Sequence, residues 1–184
     1  IYKPLYKEWG IDKFVNSNRL DAFRRDGAEV VVTPLEEGGN PYLDDLAYVD
    51  FAFIVNGYSN TSSRLDDLRD VSSVTLTDTL PVYTDKDGVQ RIAAFDADKN
   101  PGWTLSEDGR TVSKTYTGDH SKDVLMKIYN DELHLRFPGL KFEKKQDDLI
   151  ADLDNSIQLT AIPSNEAKGE THPTAEDSLL FRMT

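Results

Sequence analysis

Oxygen donors recur in Asp96-x-Asp98-x-Asn100-Pro101-Gly102-x-Thr104-x-x-Glu107 at positions one, three, five, nine and twelve of a calcium-binding loop. Carboxylate, amide and hydroxyl oxygens at that spacing suit a hard cation, so Asp96, Asp98, Asn100 and Glu107 are the candidate calcium ligands. Pro101 stands where such a loop carries the Gly of its sharp turn, and the flanking pattern predicts strands rather than helices. The competing reading is that an acidic chain contains such runs by chance and binds no cofactor. Other chemistry is sparse. His120, His134 and His172 each lie in a polar or alternating stretch that predicts a solvated imidazole. With no Cys, the chain has no disulfide, thiolate nucleophile or sulfur-ligated metal. Gly-rich phosphate loops, dinucleotide fingerprints, HExxH and GxSxG are all missing. A glycosidase pair cannot be chosen among 33 acids without their separations, because that distance defines the chemistry. A non-catalytic protein is expected.

The 184 residues suffice for one generous domain with its own core. A net charge of −12 disfavours nucleic acid as a partner. No run reaches the roughly 20 apolar residues of a membrane-spanning helix, so membrane insertion is not expected. Ile1-Tyr2-Lys3 has no apolar signal core, which fits a piece of a longer polypeptide. Trp9, Trp103 and eight Tyr could offer a sugar-stacking platform. Phe51, Phe53, Phe95, Trp103 and Tyr116 nevertheless fall in alternating patterns where aromatics pack into cores. Asn60-Thr61-Ser62 matches a glycosylation sequon.

Positioning these groups falls to strands. Val49, Phe51, Phe53 and Val55 share one face of Tyr48 to Asn56, and Val74, Leu76 and Leu80 share one face of Ser73 to Leu80. Further strands are expected at Val30–Thr33, Val89–Phe95, Thr111–Thr117, Leu133–Phe137, Ser156–Ile162 and Ser178–Met183, separated by Gly- and Pro-bearing turns. Asp108-Gly109 predicts a type I′ hairpin, since this pair tolerates positive φ. Short helices are expected at Ser17–Arg25 and Ser121–Asn130. The pattern predicts an all-β sandwich over residues 28–184, preceded by a lead-in over residues 1–27.

Four stretches carry a resemblance: Phe51-Ala52-Phe53-Ile54-Val55-Asn56, Val74 to Pro81 with its Thr-Asp-Thr-Leu-Pro ending, Pro101 to Val112, and Asn155 to Ala161. In order and spacing they resemble the Ig-like stalk and adhesin domains of Gram-positive cell-wall-anchored surface proteins, similar to pilus-backbone and collagen-adhesin domains. The resemblance implies an Ig-like antiparallel β-sandwich with a structural or adhesive role outside the cell. It implies neighbouring domains of the same polypeptide as partners, with a host protein or glycan as ligand.

Some members of that family are locked by an isopeptide bond between a Lys on the first strand and an Asn on the last, assisted by an inward acid. Asp78 matches the acid and Asn155 the Asn. Period two independently puts Asp78 on the face of Val74, Leu76 and Leu80, and Asn155 on the face of Ile157, Leu159 and Ala161. The first expected core strand, Glu29–Thr33, has no Lys. Lys3, Lys7 or Lys13 could supply the amine only if the lead-in runs along the sheet, and Lys114 comes from the wrong strand. Thr33 offers a hydroxyl for an ester with Gln, as in related domains, without the accompanying His motif. The sequence thus predicts Asp78 close to Asn155 and no crosslink.

Overall fold

The computed structural model describes residues 7–15, 28–43, 45–59, 71–163 and 174–184. The expected helix at Ser17–Arg25, the sequon Asn60-Thr61-Ser62, Lys3 and His172 lie outside the described residues.

Two sheets face each other. The first runs in the order β1 (Lys7–Val15), β3 (Val49–Ser59), β10 (Glu132–Arg136), β7 (Ala94–Phe95), antiparallel throughout. The second runs β2 (Ala28–Val30), β13 (Thr174–Met183), β12 (Asp148–Pro163), β4 (Val71–Thr79), β9 (Thr111–Thr117), β8 (Thr104–Leu105), with β11 (Glu143–Lys145) also on β12. A separate hairpin joins β5 (Val82–Thr84) and β6 (Gln90–Ile92). This is the all-β sandwich that the alternating pattern predicts.

The inner faces interdigitate because inward positions alternate along each strand. Phe51 and Phe53 of β3 and Leu133 and Leu135 of β10 meet Val74 and Leu76 of β4, Ile157 and Leu159 of β12, and Phe181 of β13 in one buried core. The Phe51 and Phe181 rings pack edge to face across the sandwich with centroids 5.4 Å apart. Trp103 is buried with its ring 5.9 Å from that of Phe53, so it is core rather than a sugar platform. Tyr129 is an exposed aromatic residue. The helix expected near Ser121–Asn130 is α1 (Ser121–Tyr129), which buries Val124, Leu125 and Ile128 at helical spacing and packs on β3.

Three expectations are corrected. Residues 7–15 are not a lead-in: β1 pairs with β3 from Lys7↔Ser59 to Val15↔Phe51, so the sandwich includes this strand rather than starting near residue 28. The stretch Glu29–Thr33 is not the first core strand. Only Ala28–Val30 is strand, it runs parallel to β13 at the edge of the second sheet, and Val31 is 78% exposed. The Asp108-Gly109 turn is not type I′, because Gly109 has positive φ and Asp108 does not. Asp108 instead accepts from Ser106 Oγ at 2.6 Å and from the Arg110 N–H at 3.1 Å, bracing a longer loop between β8 and β9.

Candidate functional site

Alternation along β1 brings Ile11, Lys13 and Val15 to its inner face, all buried. Lys13 is directly across from Phe53. Its side chain is fully buried, with Nζ 4.4 Å from the centroid of the Phe51 ring and 5.8 Å from that of Phe53. The backbone N–H of Lys13 donates to Asp177 Oδ2 of β13 at 2.9 Å, which ties β1 to the opposite sheet. Lys13 Nζ reaches Asp78 Oδ2, and the Asp78 side chain is also fully buried.

Asp78 is near the end of β4, and its cross-strand partner is Ile157 of β12. Asn155, two residues earlier on β12, therefore occupies the diagonal position on the same inward face. It is 2% exposed. Its amide sits close enough to Asp78 to favour the carboxylate form, but neither amide atom attains hydrogen-bond geometry. Asp78 Oδ1, Asn155 Nδ2 and Asn155 Oδ1 are three of the four buried side-chain polar atoms without a hydrogen-bond partner among the described residues. A folded protein rarely leaves such atoms unpaired, since each costs on the order of 1–3 kcal/mol.

Burial sets the protonation states. Desolvation pulls the Lys13 amine below its ordinary range, against the opposing pull of Asp78. It pushes the Asp78 carboxyl above its ordinary range, against the opposing pull of Lys13. Both shifts favour a proton on the acid and a free pair on the amine. Burial thus pushes both groups toward their neutral forms, beside a primary amide without a hydrogen-bond partner.

The strand register places Asp78 and Asn155 diagonally on one inward face. The condition attached to Lys13, that the lead-in run along the sheet, is met, because β1 pairs with β3 and the Lys13 side chain is buried. The signal was present in Ile11-x-Lys13-x-Val15, where a Lys keeps phase with two apolar residues. Thr33 is exposed and outside the core. Lys114 lies elsewhere, with Nζ 2.6 Å from Asp131 Oδ2, an oxygen that also accepts from Tyr116 Oη at 2.7 Å.

The candidate calcium residues occupy the turn after β7 and the hairpin beyond it. Asn100 is buried, with both amide atoms engaged: Nδ2 donates to the carbonyls of Asp96 and His134 at 2.9 Å each, and Oδ1 accepts from the His134 N–H at 2.7 Å. Asp96 Oδ1 accepts from the Asp98 N–H at 3.0 Å, and Glu107 is exposed in the β8–β9 loop. Among the described residues, the convergent group of three acidic or His side chains is Asp50, Glu132 and His134, not Asp96, Asp98 and Glu107.

No family model matches the chain, and no curated protein matches it. Among solved structures, the chain is similar to the C-terminal domain of the Streptococcus pyogenes antigen I/II-family protein AspA, with 11% identity and a TM-score of 0.33. The match covers 95% of this chain, which spans 46% of that one. No helix among the described residues is long and apolar enough to cross a membrane.

Proposed function

We propose that this chain is a non-catalytic, load-bearing module of a Gram-positive surface protein, with its two sheets clamped by an isopeptide bond between Lys13 and Asn155. The supporting observation is the buried Lys13–Asp78–Asn155 trio, in which an amine, an acid and an amide are held together with three polar atoms unsatisfied. Neutral Lys13 Nζ attacks Cγ of Asn155 while protonated Asp78 polarises the Asn155 carbonyl oxygen. A bond forms between Nζ and Cγ, the bond from Cγ to Nδ2 breaks, and Asp78 relays protons so that Nδ2 leaves as ammonia. Each chain performs this once on itself, so no external substrate is turned over.

Such a bond joins β1 of one sheet to β12 of the other, which suits a module that carries tension outside a cell. Neighbouring domains of the same polypeptide are its expected partners, and its acidic coat keeps it soluble beside them. Digestion followed by fragment-ion sequencing tests the bond directly. A branched peptide joining the Lys13 and Asn155 segments is expected, and recovery of both segments only as linear peptides would refute the clamp.

A further inference from the structure

A second cluster of ionisable groups lies away from the trio. Glu132 and His134 are two apart on β10, so they share a face, and Asp50 on β3 is directly across from His134. Their strand neighbours Phe51, Leu133 and Leu135 point into the core, which turns the trio to the outer face of the first sheet. His134 Nδ1 lies 2.5 Å from Asp50 Oδ1, and His134 Nε2 lies 3.8 Å from Glu132 Oε2. One donor atom from each residue lies within 4.8 Å of the other two.

We infer that Asp50, Glu132 and His134 form a binding site for a divalent transition-metal cation of the zinc type. The donor set is one imidazole and two carboxylates, which suits a borderline cation better than calcium, whose shells are built from oxygen alone. One ring nitrogen of His134 would bind the ion, and donors sharing zinc at about 2.0–2.2 Å in a tetrahedral shell stand roughly 3.3 Å apart, so the one-donor-per-residue separations of up to 4.8 Å close by side-chain rotation when the ion binds. Three protein ligands leave the fourth position to water.

Two features pre-organise the site. All three residues sit on hydrogen-bonded strands, where backbone positions are fixed before any ion arrives. His134 is fixed further because the buried Asn100 amide brackets its backbone, accepting from its N–H and donating to its carbonyl. Arg136, next on the same face, has Nη1 3.8 Å from Asp45 Oδ2 and its guanidinium 5.8 Å from the Tyr48 ring.

The test is calorimetric titration of the whole chain with Zn²⁺ alone and with Ca²⁺ alone, in a buffer that does not chelate. Wild type is expected to take up one zinc ion per chain, more tightly than calcium. His134→Gln should weaken zinc binding by at least about tenfold, with Glu132→Gln and Asp50→Asn also weakening it, since each removes a ligand. Circular dichroism without metal checks the fold of each variant. If His134→Gln does not fold, the two carboxylate variants decide the outcome. Absence of zinc binding, zinc binding unchanged in the folded variants, or calcium binding as tight as zinc would each overturn the inference.

Discussion

Lys13 shows how one side chain can be misread when its strand is misread. A Lys is ordinarily solvated, and the burial of Lys13 is compensated by the Asp78 carboxyl beside its Nζ. Asp78 and Asn155 were legible from alternation alone, since each keeps phase with three apolar neighbours. The amine was not, because its significance depends on β1 pairing with β3, a contact no local pattern encodes. The crosslink should dominate stability, since closing a loop from residue 13 to residue 155 removes much of the unfolded chain's freedom. By analogy with a disulfide closing a loop of that size, Asn155→Ala should lower the unfolding free energy by roughly 5 kcal/mol in denaturant titration. That variant leaves the Lys13–Asp78 pair in place and removes two unsatisfied polar atoms. A loss under about 1 kcal/mol would therefore speak against a clamp.

At the scale of elements, the strands with strict alternation were the legible ones. Val49–Ser59, Val71–Thr79 and Thr111–Thr117 fall where period two places them, and α1 falls where the spacing turns helical. Short edge strands were harder, because three residues carry too little periodicity to separate strand from loop, as at Ala28–Val30. The β5–β6 hairpin is held by one side chain: Asp85 accepts from the Asp87 and Val89 N–H groups at 2.9 Å each and from Arg91 Nε at 2.5 Å. Hydrogen bonding, chiefly from Val89, holds the Asp85 carboxyl below its ordinary value of 3.8. The folded state therefore binds this proton less readily than the unfolded state. The stabilisation is present above pH 3.8 and is lost as pH falls through the lower folded-state value. Amide exchange at Asp87 and Val89, scaled to the intrinsic rate at each pH, should lose protection over that acid range. Asp85→Ala should show the loss already at neutral pH.

For the molecule as a whole, the clamp divides the chain unequally under load. With the proposed bond in place, residues 13–155 would lie inside the covalent loop, whereas residues 1–12, with the first part of β1, and residues 156–184, with all of β13, would lie outside it. Pulling from the two ends should release only the residues outside the loop, peeling β13 from β12 and the start of β1 from β3, for roughly 140 Å of slack at about 3.3–3.6 Å per residue. Extension should then stop. Single-molecule stretching of wild type is expected to show that one limited release, while Asn155→Ala should unravel through the strands inside the loop as well. Full-length unravelling of wild type would mean that the sheets are not covalently joined.

Intact mass tests the clamp most directly, because forming the bond expels one molecule of ammonia. Wild type should weigh about 17 Da less than its sequence requires. Lys13→Ala, Asp78→Ala and Asn155→Ala should each return to the mass of their own sequence, the first and third by removing a bonding partner and the second by removing the acid. A wild-type chain at its full sequence mass would contradict the account, as would a deficit that survives Asp78→Ala.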